Sequence, residues 1–256
     1  MKLTKVSKEG LHLVCSISDV TPAFVNALRR FCMDYVPTLA IEDVEIKSND
    51  SIIYDEVIAH RLGLIPLSTD LSSYTLAEEG EEISAMNSVV LTVSKEESGY
   101  VYAKDMQTKD PKVKPVYGDI QITYLTENQS LELIATAVMG IGKNHAKWSP
   151  ANVYYSYKPT VRVNNKSRLL ASVIDKYPLA IVDNGKINEK AISTPTLIDA
   201  CDGICDDVVK IEYSDSEFIF HVESFGQLDS KEVVIEAINQ FTKQLDTMKK
   251  LITELK

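Results

Sequence analysis

A chain of 256 residues, 45% hydrophobic and 25% charged, has an ordinary globular composition and room for one large domain or two to three small ones. Its net charge of −10 and pI near 5.0 argue against a free-standing nucleic-acid binder, which would be basic. Four cysteines (Cys15, Cys32, Cys201, Cys205) are too few for a disulfide scaffold; the start MKLTKVSKEG lacks a signal peptide's apolar core, and no apolar run approaches the roughly 18 residues of a membrane span, so a cytoplasmic protein is expected.

Leu11–Val20 alternates apolar and polar residues and reads as a half-buried strand, with Met1–Val6 as a candidate partner. Thr21–Tyr35 predicts a helix: Thr21 is a suitable N-cap, and Pro22 sits where a missing N–H costs nothing. Phe24, Ala27, Leu28, Phe31, Cys32 and Tyr35 share one face, while Asn26, Arg29 and Arg30 lie off it, on a solvated or a docking surface. Val36-Pro37 ends the helix. Leu39–Ile41 and Val44–Ile46 read as strand, and Tyr54–His60 as a short helix with acids first and His60 and Arg61 last, suiting its dipole. Gly63 is expected to supply the helix exit.

Ser68–Ser84, acidic at Glu78–Glu82, reads as a surface loop. Ser88–Val93 and Tyr100–Ala103 read as a hairpin, Ile120–Tyr124 and Leu131–Val138 as further strands, with Gly140-Ile141-Gly142-Lys143 breaking the pattern. His145–Pro150 is irregular, and Val153–Tyr157 is a strand closed by Lys158-Pro159. Residues 164–208 are loop-rich, with a tight hairpin signal at Asp183-Asn184-Gly185-Lys186. Val209–Tyr213 and Glu217–Glu223 read as strands paired around Ser214–Ser216.

After the break at Phe225-Gly226, Asp229 and Glu232 form a capping-box pattern. Val234, Ile238, Phe241, Leu245, Met248, Ile252 and Leu255 then follow at steps of four and three, a heptad repeat. A helix of about 40 Å outruns a small β-domain. It either folds wholly on its own domain or also packs on a second chain, alongside the Phe24/Leu28/Phe31 face. The two ends of the chain would then form one discontinuous dimerisation domain around a β-rich unit.

Asn26–Arg30, Val36–Ile41 and Asp55–Leu67 (DEVIAHRLGLIPL) together resemble the alpha-like assembly subunits of multisubunit RNA polymerases, nearest to the archaeal members and their eukaryotic third-largest-subunit relatives. His145–Pro150 (HAKWSP) is similar to the family's second signature, and the terminal helix is similar too. The resemblance covers nearly the whole chain. It implies an α+β fold: a discontinuous alpha-like dimerisation domain (1–41 plus 209–256), an inserted antiparallel β-rich domain (42–163), and a small degenerate ferredoxin-like insert (164–208).

It further implies a non-catalytic assembly subunit that belongs to a nucleotidyltransferase complex and contributes no catalytic residue. A heterodimer interface with a small alpha-like subunit (subunit L in archaea) would use Phe24, Ala27, Leu28, Phe31, Val234, Ile238, Phe241, Leu245, Met248 and Ile252. Docking of the large catalytic subunits, beside small zinc-bearing subunits, would use Asn26, Arg29, Arg30, His60, Arg61, Leu62, Gly63, His145, Lys147 and Trp148. Trp148, the single tryptophan, is either an interface anchor or a local core plug.

Many archaeal relatives hold an Fe–S cluster where residues 164–208 lie. On the C-x2-C-x2-C-x3-C-P spacing, Cys201 and Cys205 take the third and fourth places, Ile198 and Pro195 the second and first, and Tyr177-Pro178 replaces the companion Cys-Pro. Two thiolates remain, as remnants, and no cluster is expected. Ser68–Ser84 has no cysteine, so no zinc is expected there. A self-standing enzyme would have only His145, Lys147 and Asp55/Glu56 to work with and lacks a nucleophile elbow, P-loop or metal spacing. A redox module fails on cysteine count. A chain ending straight after the heptads disfavours a bacterial-type homodimer with a DNA-reading tail, and no direct sequence-specific DNA binding is expected. A stand-alone homodimeric scaffold is the remaining alternative.

Overall fold

The computed structural model describes residues 1–77 and 84–255; the acidic centre Glu78–Glu82 lies outside them. The elements run β1 (Lys2–Glu9), β2 (His12–Ser18), α1 (Pro22–Asp34), β3 (Pro37–Asn49), α2 (Asp55–Gly63), β4 (Ser88–Lys95), β5 (Gly99–Tyr102), β6 (Gln107–Thr108), β7 (Gln121–Leu125), β8 (Leu131–Ile141) and β9 (Ala151–Val163). They continue as α3 (Leu170–Val173), β10 (Val182–Asp183), β11 (Lys186–Ile187), α4 (Pro195–Cys201), β12 (Val209–Ser224) and α5 (Ser230–Glu254). The fold is mixed α+β, and the β3–β8, β4–β8, β4–β6, β5–β7 and β10–β11 pairs are all antiparallel. No described helix is long and apolar enough to cross a membrane.

The chain divides into two compact units. The larger comprises Lys5–Cys15, Ala23–Tyr155 and Phe220–Lys256. Its main sheet has the order β3-β8-β4-β6. Leu131, Leu133, Ala135, Ala137 and Met139 alternate along β8, so one face of the sheet is apolar. The register sets Ile41 beside Ala137 and Ala137 beside Val89, so three strands supply one row of core side chains. Ile58 and Leu62 of α2 complete that core.

Four expectations give way here. β5 does not form a hairpin with β4: it pairs with β7, while both edges of β4 are taken by β8 and β6. β8 runs on through Gly140 and Ile141, which pair with Thr38 and Pro37, so Gly140 does not break the strand. β9 likewise continues through Pro159; it is the outer strand of the sheet β1-β2-β12-β9, and an edge strand tolerates a residue without an N–H. The two strands expected around Ser214–Ser216 are one continuous strand, β12, along which Ser214 Oγ accepts the N–H groups of Ser216 and Glu217.

The smaller unit comprises Met1–Thr4, Ser16–Pro22 and Ser156–Ile219. Leu170, Tyr177, Ile181, Ile187, Ile198 and Cys201 are among the residues of its own small core. The hairpin signal holds: Asn184 (φ 49°) and Gly185 (φ 73°) connect β10 to β11, as a turn with two left-handed residues requires.

Candidate functional site

The end of α1, the start of β3 and the turn Ala146–Trp148 are locked into one knuckle. Gly142 passes so close to α1 that a Cβ there would lie 2.1 Å from the Met33 carbonyl oxygen, and Lys143 N donates to Asp34 O at 2.9 Å. Thr38 Oγ1, buried, donates to the Trp148 carbonyl at 2.7 Å. Lys147 Nζ donates to Ile41 O at 2.9 Å, pairs with the Glu42 carboxylate, and stands 4.4 Å over the Trp148 ring. Gly63, at the end of α2, meets the same Ile41 carbonyl, 3.5 Å from where its Cβ would be. Segments around residues 41, 63 and 147 therefore converge on one carbonyl. His145, exposed, stands edge-on to Trp148, and its Nδ1 accepts the Lys147 N–H at 3.1 Å, so Nε2 carries the ring proton of the neutral form.

Trp148 is not an exposed anchor. It is 8% exposed, and its Nε1 donates to Val138 O at 3.1 Å. Its ring lies over Gly140, which explains that glycine by close approach. Leu62, expected to dock a partner, is fully buried in the core of the larger unit and is unavailable to one. Gly63 does not make the helix exit by a left-handed conformation: α2 ends on Leu64, which caps it in the right-handed region.

Two faces of α2 separate cleanly. Ile58 and Leu62 point into the core, while Val57 and Arg61, each one position earlier and so about 100° round the helix, are exposed, as are Tyr54 and Leu64 at its two ends. Ile52, 89% exposed, precedes them. Arg61 is fixed by donating Nη1 to Ile122 O at 2.7 Å; His60 is exposed beside it. Sequence reading missed Tyr54, Val57 and Leu64 as surface candidates. Their signal was present: Tyr54, Val57, Arg61 and Leu64 recur at steps of three and four beside the Ile58/Leu62 stripe.

On α1, Val25, Leu28, Phe31 and Cys32 are buried, and Phe24 and Ala27 lie on the same side of the helix, next to them. The buried stripe thus includes Val25, which the expected face omitted. Burial pushes the Cys32 thiol up to about 12, which makes it an inert core group. The other side carries Asn26, whose Oδ1 accepts from Arg29 Nε at 3.1 Å, and Arg30, whose Nε is 3.7 Å from Asp34.

Part of the expected partner face is covered by the chain itself. The Phe241 ring of α5 lies 4.6 Å from Phe31 and 6.4 Å from Phe24. α5 begins with the expected capping box: Asp229 Oδ1 accepts from Lys231 N at 2.9 Å, and Glu232 Oε2 from Asp229 N at 3.2 Å. Its own chain buries Ser230, Val233 and Ala237, of which the last two stand one position before the heptad residues Val234 and Ile238. Val234 and Phe241 are half-buried; Ile238, Leu245, Met248, Ile252 and Leu255 are exposed, as is every residue from Thr242 to Leu255. Ile235 and Leu251 are exposed as well.

Among the described residues none of the four cysteines forms a disulfide. Cys201 is buried, which raises its pKa, and Cys205 is half-buried against the same core. The Tyr177 hydroxyl is buried without a hydrogen-bond partner, and burial pushes its pKa up to about 12. This donor set does not fit a four-thiolate cluster. Among the described residues no group of three or more His, Cys, Asp or Glu side chains is placed to hold a metal ion.

A family profile described as the RNA polymerase Rpb3/RpoA insert domain matches residues 44–153. The DNA-directed RNA polymerase subunit Rpo3 of Methanothermobacter thermautotrophicus is 36% identical over 246 residues, covering 93% of each chain. That of Methanosphaera stadtmanae is 34% identical over 261 residues, covering 96% of this chain and 97% of its own. That of Pyrococcus horikoshii is 35% identical over 256 residues, covering 96% and 95%.

Proposed function

The chain belongs to the Rpo3 family of DNA-directed RNA polymerase subunits, and from that premise we propose that it is the alpha-like assembly subunit of an archaeal-type polymerase and supplies no catalytic group. Its role is in transcription, as one subunit among other polymerase subunits. In this reading it works in the cytoplasm. It pairs with a small alpha-like subunit (subunit L) through α5 and the neighbouring part of α1, and the pair is the platform for the large catalytic and small zinc-bearing subunits. Residues 1–41 with 209–256 make the dimerisation domain, 42–163 the inserted β-rich domain and 164–208 an insert without an Fe–S cluster or zinc.

One observation carries the heterodimer: α5 is 25 residues long, and from Thr242 onward its heptad side chains Leu245, Met248 and Ile252 stand exposed. An apolar seam at heptad spacing is stable only when another helix covers it. The knuckle residue His145, with Arg29, Arg30, His60, Arg61 and the α2 face, forms the second surface, suited to the large subunits; Lys147, its side chain 13% exposed and engaged by Ile41 O and Glu42, holds the knuckle together instead. Arginine offers planar, multidentate donors for carboxylates and carbonyls across such a contact.

The native mass of the chain, alone and co-expressed with a small alpha-like subunit, tests the pairing. A 1:1 complex is expected, replacing a self-associating or aggregating lone chain. A monodisperse monomer in both preparations overturns the dimerisation reading, and a stable homodimer that ignores the small subunit favours the stand-alone scaffold.

A further inference from the structure

The unit containing Ser156–Ile219 carries a pocket of about 320 Å³. This is at the small end of the roughly 300–1,000 Å³ typical of ligand clefts. Pro159, Pro195, Ile198 and Ile219 supply apolar walls. Tyr157, Tyr213 and Asp199 also line it.

The charges at its mouth are unequal. Lys158 is neutralised by its own partner, with Nζ 2.6 Å from Glu217 Oε2. The Tyr213 hydroxyl donates to Asp202 Oδ2 at 3.3 Å. Among the described residues no hydrogen bond or ion pair engages the Asp199 carboxylate. Asp199 is within electrostatic reach of Tyr213, whose pKa is raised by burial first, then by Asp202 and Asp199. The mouth is therefore net negative, and both tyrosine side chains are exposed there.

A neutral apolar group filling this pocket would leave the exposed Asp199 carboxylate without a partner, and an anion would be repelled. A long alkyl stem ending in a cation satisfies both features: carbon against the proline and isoleucine walls, charge against an aromatic face and a carboxylate. We propose that this pocket receives a lysine or arginine side chain projecting from another polypeptide, with its charged head between the Tyr213 ring and Asp199. The one unengaged carboxylate at the mouth calls for a single cationic head, as one basic side chain supplies. A polyamine would leave most of its ammonium groups beyond the single unengaged carboxylate, so a protein source is the better fit. The inference does not depend on which polymerase surface α5 occupies.

The test titrates the full-length chain with two short acetylated, amidated peptides that differ only in a central lysine or its uncharged isostere norleucine, with spermidine as a third probe. Methyl NMR signals of Ile192, Ile198 and Ile219 report occupancy. The lysine peptide is expected to shift them, with affinity falling about two- to fivefold in Asp199→Asn, the scale of an exposed charge or cation–π contact. Tyr213→Leu keeps the pocket apolar and is expected to remove the preference for lysine over norleucine. Equal binding of the norleucine peptide, or full binding by Asp199→Asn, overturns the proposal. So does saturation by spermidine with no response to the lysine peptide, which would make the pocket a small-cation site.

Discussion

Gly140 and Trp148 explain each other: a Cβ on Gly140 would stand 2.3 Å from Cε2 of the indole, and the indole in that place donates to Val138 O at 3.1 Å. Gly140→Ala forces the ring out and breaks that bond. A loss of about 1–3 kcal/mol is expected, the usual scale of overpacking, with a red shift in the emission of the single tryptophan. Urea denaturation followed by fluorescence measures both, and unchanged emission would show that the ring does not depend on the glycine.

The two faces of α2 predict two kinds of mutant. Leu62→Ala, at a fully buried position, is expected to cost about 2–5 kcal/mol in the isolated chain. Val57→Glu, on the exposed face, should change stability by no more than about 0.5 kcal/mol. If that face docks a large subunit, Val57→Glu weakens assembly of the polymerase in a reconstitution assay while the chain melts normally.

Leu245→Glu with Met248→Glu tests the uncovered seam of α5. Both side chains are exposed, so the thermal midpoint of the lone chain should hardly move. Binding of the small alpha-like subunit should fall by about thirtyfold or more, the scale of an interface hot spot. A pull-down that recovers the partner at wild-type yield would count against a partner on this seam.

Asp229→Ala removes the start of α5. It deletes the cap to Lys231 N and the Lys8 ion pair, with Nζ–Oδ2 at 2.7 Å. The Lys8 hydrogen bond first, and the Lys231 N–H second, hold the Asp229 carboxyl below its ordinary range. That contribution is present above the unfolded carboxylate pKa and is lost as pH falls through the folded one. A loss of about 1 kcal/mol at neutral pH, chiefly from the cap, is expected by thermal melting. It should shrink toward zero in acid.

A histidine pair on the β2–β12–β9 face sets a second pH response. His221 stacks on Tyr154 at 4.6 Å and on His12 at 5.5 Å, with His221 Nδ1 3.4 Å from His12 Nε2. Burial, and then His12, lower the His221 pKa below 6.5, with Glu223 opposing. The fold therefore favours the neutral ring. The unfolded chain binds more protons between the folded pKa and 6.5, so stability is present above 6.5 and is lost as pH falls through that window. Chemical denaturation across this range should show the loss, and His221→Phe should flatten it.

Much of the candidate surface was legible in the residues alone. The capping box at Asp229 and Glu232, the heptad spacing after Val234 and the turn at Asn184-Gly185 are local patterns, and each appears where its spacing places it. The strand pairings were harder. The turn after Lys95 suggested a hairpin, yet β5 joined β7, because a ladder partner is chosen by packing across long sequence separations and not by the nearest turn.

The sequence by itself determined most of the element types, the start of α5 and the family, because periodicity, caps and motif strings are carried by residues a few positions apart. Only the tertiary structure decided that Leu62 and Trp148 are covered while Tyr54 and Val57 are not, and that Phe241 closes over Phe31 while Leu245 is left bare. A spacing of three and four says that residues share a face of a helix. What lies against that face depends on distant segments, and here those segments cover α1 and the start of α5 and run out at Thr242.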